Sequence, residues 1–300
     1  MEYFALYEAQ GKPESDGVTH ELIKFPNGHC SIRKVGRDGP LSESMHSSIG
    51  PWAEANEVYV AQSELVAKLK GQDTLAPVVI YDIGMGIAAN ALAAFETWSS
   101  LQLDRAIRPL HIFSFENDLS GIELALSSSR EFSFLERHGS LAAELLTSGT
   151  VTLPDCRGGP GFRWTLVHGD FLKGPSRALA PEIIFYDFYS PAVSPELWSV
   201  DAFTRLRSVC GPVTVLVTYV AATAARSALL LAGFAVGQGS QTAAKRETTI
   251  AATEVTMLSQ PLGREWLGKL SRSSRPLPAD VDLQKRKKAL ETIERLSQFS

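Results

Sequence analysis

Tyr81-Asp82-Ile83-Gly84-Met85-Gly86-Ile87-Ala88-Ala89-Asn90 is the stretch on which the fold of this chain turns. It follows a short apolar run, Pro77 to Asp82, and opens Ala88 to Leu101, where apolar residues fill the body of a helix. Strand, tight turn and helix in that order make a ligand cradle. Two glycines one residue apart permit the turn and a close approach, and the helix behind them presents unpaired N–H groups. Because G-x-G also occurs in ordinary strand-to-helix turns, its context carries the reading.

Working outward, the same alternation repeats. His111–Glu116 reads as a second strand, followed by helical Leu119–Leu126, and Trp164–His168 as a third. Ile183–Asp187 is a fourth, with a helix over Pro195–Val209, and Val213–Tyr219 a fifth, with a helix over Ala222–Leu231. Phe234–Val236 and Thr248–Met257 supply two closing strands. Strands alternating with helices imply an α/β fold, a mainly parallel sheet covered on both faces, and the continuous apolar runs are those of buried parallel strands. Between Leu126 and Trp164 the reading assigns only a Gly- and Pro-rich surface loop, 154–161, around Cys156.

The ends differ from this middle. Residues 1–45 are turn-rich, with short pieces at Tyr3–Tyr7, His20–Phe25 and Cys30–Val35 and a hairpin signal at Asn27-Gly28, so a small β appendage is expected. Trp52–Leu69 reads as a lead-in helix. Residues 46–262 form the main domain. Residues 263–300 form a basic tail, with nine Lys or Arg against five Asp or Glu. Its last part, Asp282–Phe299, reads as a helix with Leu283, Leu290, Ile293 and Leu296 on one stripe.

Composition removes several classes. With 300 residues, 44% hydrophobic and 21% charged, the chain is globular rather than disordered. A net charge of −4 argues against a wholly basic DNA binder but leaves room for RNA on a local patch. Cys30, Cys156 and Cys210 include no C-x-x-C pair, and the six histidines form no H-x-H or H-x-x-x-H pair, so no metal site is expected. The start lacks a secretory pattern, and the most apolar stretch, Val213–Ala235, is interrupted by Thr218, Tyr219, Thr223, Arg226 and Gly233. A cytoplasmic protein without a membrane span is the expectation.

The candidate chemistry lies at strand ends. Asp82 precedes the glycines, Ala89 stands where a dinucleotide fingerprint wants its third glycine, and Glu116 comes about 30 residues after Gly86, where such a fingerprint wants its acid about 20 on. This set suits a nucleoside without a pyrophosphate, such as S-adenosyl-L-methionine, with Glu116 accepting from ribose hydroxyls; the alternative for Glu116 is a solvated loop acid. Asp170, after the third strand, either accepts from an adenine amino group or caps the next turn. Asp187 ends the fourth strand within Phe185-Tyr186-Asp187-Phe188-Tyr189-Ser190-Pro191, where an acid can hold an amine beside an electrophile or be satisfied structurally by loop N–H groups. Lys245-Arg246 before the last strand is a solvated turn or a phosphate holder.

Several segments in order resemble the methyltransferase domain of the MnmC family, which modifies the wobble uridine of certain tRNAs. They are His46-Ser47 to Gly50 with Glu54-Ala55 and Val58-Tyr59; Asp82-x-Gly84-x-Gly86-x-x-x-Asn90; Ser114-Phe115-Glu116; and Asp187-x-x-Ser190-Pro191-x-x-x-Pro195-Glu196-Leu197-Trp198. Thr218-Tyr219 to Arg226, Ala232-Gly233-Phe234, Lys245-Arg246-Glu247 and Pro261-Leu262-Gly263-x-x-Trp266 follow. The likeness covers roughly residues 42–278. The chain departs from it at Phe188-Tyr189 and at Ser194, where Asn is usual, and has fewer glycines before Lys245.

The resemblance implies a class I, Rossmann-like methyltransferase with a seven-stranded twisted sheet, in a stand-alone form without the family's flavin oxidase domain. It implies S-adenosyl-L-methionine as cofactor, held by Asp82, Gly84, Gly86, Asn90, Glu116, Asp170 and Glu54. It implies N-methylation of a 5-aminomethyl uridine, with Asp187 as the catalytic acid–base group. Phe188, Tyr189 and Ser190 then face the base, and Lys245, Arg246, Lys287 and Lys288 face tRNA phosphates. Three other readings stay open: a methyltransferase of a small amine or protein, an aminopropyltransferase-like enzyme, and a non-catalytic cofactor- or RNA-binding module.

Overall fold

The structure, a computed structural model, describes residues 19–71, 75–103, 106–156, 158–173, 179–241 and 247–300. It opens with an antiparallel sheet of β1 (Thr19–Lys24), β2 (Cys30–Gly36) and β3 (Gly39–Pro40). Asn27-Gly28 makes the first turn, with Gly28 at φ +88°, a conformation that side-chain-bearing residues rarely adopt. The expected strand at Tyr3–Tyr7 lies outside the described residues.

The single helix expected over Trp52–Leu69 is broken into three pieces. These are α1 (Pro51–Glu54), a π-helical turn (Ala55–Val60) and α2 (Leu65–Leu69), with Glu64 left-handed at φ +55° between the last two. The Ala61 N–H donates to the Asn56 carbonyl at 2.9 Å, one residue wider than α-helical spacing. Val58, Tyr59 and Val60 are consecutive and all buried.

Strands and helices then alternate: β4 (Val78–Ile83), α3 (Ala89–Leu101), β5 (Leu110–Glu116), α4 (Ser120–Ser127), α5 (Ser133–Ser148), β6 (Thr150–Pro154), β7 (Pro160–His168), β8 (Ile183–Tyr186), α6 (Val200–Val209), β9 (Val215–Thr218), α7 (Thr223–Leu231), β10 (Ala235–Gly239) and β11 (Thr248–Ala252). The tail adds α8 (Arg264–Arg272) and α9 (Arg286–Glu294). The large sheet has the order β10-β11-β9-β8-β4-β5-β7-β6. From β9 to β7 every pairing is parallel; β11, β10 and β6 pair antiparallel with their neighbours. That is one strand more than the seven expected. The extra strand, β6, is an edge strand with only Val151 buried, so it carries little apolar signal. Helix α5, before it, falls in a stretch to which the sequence reading assigns no element, although Phe134, Leu135, Ala142 and Leu145 are buried along it.

Two apolar layers enclose the sheet. Ile80 and Ile112 pack with Leu92, Phe95 and Trp98 on one face. Tyr81, Ile83 and Leu216 pack with Phe203, Leu206 and Leu229 on the other. Neighbouring residues of β4 thus enter opposite cores, which explains its unbroken apolar run. From β4 the chain winds through β5 to β7 on one side, then returns to β8 and β9 on the other. The carboxyl ends of β4 and β8 therefore flank a topological switch point, where open α/β sheets bind ligands.

The tail runs back along the second face. Asp280 Oδ2 accepts from the N–H groups of Val200 (2.9 Å) and Asp201 (3.3 Å), closing the start of α6 beside the 187–198 loop. Gln298, past α9, bonds the backbone of Val236 near the opposite edge of the sheet. Of the expected stripe Ile293 is fully buried but Leu283 is 84% exposed, while Phe299, outside the stripe, is buried. Leu283 precedes α9, which starts at Arg286 rather than at Asp282.

Candidate active site

The glycine loop is shaped by what lies against it. Gly84 takes φ +86°, and a Cβ there would sit 2.5 Å from the Asp187 carbonyl oxygen and 3.1 Å from the Phe188 ring. Only glycine fits this contact between the β4 and β8 ends. Gly86, at φ +53°, has more room, its nearest neighbour being Met45 Sδ at 3.8 Å. The Gly86 N–H donates to Glu116 Oε2 at 3.0 Å, and Glu116 Oε1 accepts from Asn117 and Asp118 N–H groups at 2.9 and 3.1 Å. Burial raises the Glu116 carboxyl pKa, and these N–H groups oppose the shift.

Asp187 lies at the end of β8. Its backbone N–H donates to Ile83 O at 2.9 Å, and its Oδ2 accepts from Asn90 Nδ2 at 2.8 Å. Burial, then the negative charge of Glu54, raises its carboxyl pKa to about 7; Tyr59 and Asn90 oppose the shift. The Tyr59 hydroxyl adjoins this carboxylate without meeting hydrogen-bond geometry. Glu54 is buried and anchored through Oε2, which accepts from both the N–H and the hydroxyl of Ser47 at 2.9 Å. Glu54 at the end of α1 and Tyr59 of the π-turn thus both come to the acid ending β8. The family pattern groups Glu54 with the cofactor and gives Tyr59 no role of its own; in the fold the Glu54 charge and the Tyr59 hydroxyl both act on the Asp187 carboxyl pKa, in opposite directions.

The remaining candidates fall as follows. Asp82 is fully buried, with Oδ2 accepting from Ser114 Oγ at 2.6 Å and Oδ1 without a partner. Burial, then the Glu116 charge, raises its pKa to about 7 against the Ser114 bond. Asp170 is exposed and Oδ1 accepts from Leu172 N–H at 2.9 Å, the capping arrangement that its sequence allows. Phe188 is half-buried and packs edge-on to Tyr186, with centroids 5.3 Å apart. Tyr189 lies under Lys34, whose Nζ is 5.9 Å from its ring centroid, and its hydroxyl is buried without a hydrogen-bond partner. The Ser190 N–H donates to Glu43 Oε1 at 2.8 Å. Lys245 and Arg246 lie outside the described residues. Lys287 and Lys288 sit on exposed positions of α9, on the protein's outer surface.

Two residues at the site carry no mark in the sequence, Lys34 and Glu43, while Tyr219 and Trp164 are marked only as members of a matching segment and a strand. Lys34 bridges to Asp118 at 3.0 Å, and the Tyr219 hydroxyl donates to Phe188 O at 3.0 Å. Glu43 and Lys34 come from the N-terminal sheet and the segment after it, so that sheet walls the site from above β5. No local motif signals such a contact. For Tyr219 the cues are its place at a strand end and in the Thr218-Tyr219 segment of the resemblance.

Residues 163–254 match a family of S-adenosyl-L-methionine-dependent methyltransferases. The chain is 29% identical over 218 residues to the tRNA 5-methylaminomethyl-2-thiouridine biosynthesis bifunctional protein MnmC of Burkholderia vietnamiensis, covering 66% of this chain and 31% of that protein. It is 30% identical over 243 residues to MnmC of an Azoarcus species, covering 79% and 34%. The chain resembles the MnmC proteins. It spans about a third of the length of these curated relatives. The crystal structure of MnmC2 from Aquifex aeolicus superposes with a TM-score of 0.64 at 22% identity, covering 94% of this chain and 84% of that one. The fold is that of the class I methyltransferases, as the MnmC-like motifs imply. Among the described residues no helix is long and apolar enough to cross a membrane, and no cluster of three or more His, Cys, Asp or Glu is placed to hold a metal ion.

Proposed function

We propose that this chain is an S-adenosyl-L-methionine-dependent N-methyltransferase acting on the aminomethyl group of 5-aminomethyl uridine, with or without 2-thiolation, at the wobble position of tRNA. The observation that carries it is Asp187. It stands at the switch point, beside the glycine loop, with its carboxyl pKa near 7. MnmC relatives named for 5-methylaminomethyl-2-thiouridine biosynthesis support the substrate.

The crevice suits the cofactor. At Gly86 a Cβ would meet only Met45 Sδ at 3.8 Å, so the loop is open there, and the unpartnered Asp82 Oδ1 and the Glu116 carboxylate are acceptors for a cationic ligand rich in hydroxyl groups. Asp82, Gly84, Gly86 and Glu116 would hold it, with Asp170 at the adenine end. Bound S-adenosylmethionine supplies an electrophilic methyl group on a positively charged sulfur.

An alkylamine at neutral pH is largely an ammonium ion, whose nitrogen has no free electron pair. Asp187 orients that nitrogen and takes its proton, so the freed pair faces the methyl donor in line. Asn90 holds the Asp187 carboxylate in place, and Glu54 raises its proton affinity from the rear. Phe188, braced by Tyr186 and Phe171, and Tyr189 supply ring contact to the base, and Ser190 borders it. Lys245, Arg246, Lys287 and Lys288 contact tRNA phosphates. In this reading residues 46–262 are the transferring domain, 1–45 an appendage whose described part, from Thr19, borders the crevice, and 263–300 an RNA-facing tail, in a cytoplasmic protein.

The test is transfer of labelled methyl groups from S-adenosylmethionine to tRNA carrying aminomethyl uridine, with nucleoside mass analysis. A methylaminomethyl product supports the proposal. No product with the cofactor bound in calorimetry overturns the substrate, and no binding overturns the cofactor.

A further inference from the structure

Behind the crevice runs a line of three fully buried polar side chains from three adjacent strands. Trp164 Nε1 on β7 donates to Ser114 Oγ on β5 at 2.8 Å, and Ser114 Oγ donates to Asp82 Oδ2 on β4 at 2.6 Å. Each of the three residues is 0% exposed. The register explains the line: Asp82 pairs with Ser114 in the β4–β5 ladder, and Trp164 pairs with Ile112, two residues before Ser114 on the same face.

The line uses up every polar atom in it except one. The hydroxyl of Ser114 accepts once and donates once, and the Trp164 N–H has its single acceptor. Asp82 Oδ1 is left buried without a partner. A buried unpaired carboxylate oxygen is costly and calls for a donor, from a bound ligand or an ordered water. The relay also settles which oxygen is free. With Oδ2 held from the β5 side, the carboxylate cannot rotate to satisfy both oxygens within the protein.

We propose that Ser114 and Trp164 are positioning residues for cofactor binding, which hold the Asp82 carboxylate so that its free oxygen accepts a hydrogen bond from the donor-bearing, cationic end of the ligand. Neither touches the ligand; both act through Asp82. This rests on the reading of the crevice as the S-adenosylmethionine site. The orienting bond comes from a neutral hydroxyl, which sets direction without adding a competing charge. The indole N–H takes one of the two Ser114 acceptor lone pairs, and with its hydrogen aimed at Oγ it leaves the hydroxyl proton directed at Asp82.

The experiment is a double-mutant cycle read by calorimetry with S-adenosylhomocysteine, which needs no turnover. Ser114→Ala is expected to weaken binding about tenfold in the wild-type background, about 1.4 kcal/mol, and less than about twofold in an Asp82→Asn background. Ser114→Thr, which keeps the hydroxyl, is expected to restore most of the affinity. Trp164→Phe, which removes only the donor and some ring volume, is expected to show a smaller loss with the same dependence on Asp82. Equal losses in both backgrounds, or no recovery with Thr, overturn the relay while leaving the cofactor site intact. If Ser114→Ala does not fold, the Trp164→Phe and Asp82→Asn cycle carries the same two outcomes. Failure of the wild-type protein to bind S-adenosylhomocysteine overturns the site reading and the relay together.

Discussion

Asn90 Nδ2 donates to Asp187 Oδ2 at 2.8 Å, joining the first turn of α3 to the end of β8 across 97 residues of sequence. The residue matched to the cofactor loop is thereby the one that holds the proposed proton acceptor. Loop and acid form one unit, and a change on either side of it has a distinct signature.

Asp187→Asn keeps the shape of the side chain and removes its basicity. Turnover is expected to fall by about 10²–10⁴-fold, the usual worth of a positioned acid–base group, with S-adenosylhomocysteine affinity within a few-fold of wild type. Single-turnover kinetics and calorimetry check the two halves. Undiminished turnover sinks the role.

The raised Asp187 pKa has two consequences of opposite sign. Activity is expected to climb as pH rises through about 7, because only the ionised carboxylate accepts a proton. Stability moves the other way. A carboxyl whose folded pKa lies above its unfolded value binds more protons when folded, so its favourable contribution is present at low pH and is lost as pH rises from about 4 through about 7. Asp187→Asn lacks this loss, so its melting temperature should gain on that of wild type between about pH 5 and about pH 8. A difference that stays constant with pH counts against the shift.

Gly84→Ala should be far more damaging than Gly86→Ala. At Gly84 the new methyl would meet the Asp187 carbonyl at 2.5 Å in a left-handed conformation, whereas at Gly86 the space is open and only the backbone conformation is strained. The expected costs are about 3 kcal/mol or more at Gly84 and about 1 kcal/mol at Gly86. Denaturant unfolding measures both. Equal losses would show that the close approach of the β4 and β8 ends is not the constraint.

Replacing Lys287 and Lys288 together with Ala should weaken tRNA binding, and the slope of log affinity against log salt should shrink by about one for each phosphate no longer neutralised. Lys287 has only a 3.9 Å pairing with Glu291 on a highly exposed side chain, so stability should change little. Unchanged affinity and slope in filter binding would remove α9 from the RNA surface.

What the sequence by itself determined was the strand–loop–helix grammar. Apolar runs at β4, β5, β8 and β9, the glycines at 84 and 86, and the acids at strand ends are local patterns that can be read off the chain, although the contact that demands glycine at 84 is itself tertiary. The wall made by Lys34 and Glu43, the α1 and π-turn segment that brings Glu54 and Tyr59 to Asp187, the edge strand β6 and the Trp164–Ser114–Asp82 line were decided only by the tertiary structure. Each depends on which strands become neighbours and in what register. That is set by summed packing over both faces of the sheet, where no single residue carries enough of the free energy to leave a mark in its own sequence neighbourhood.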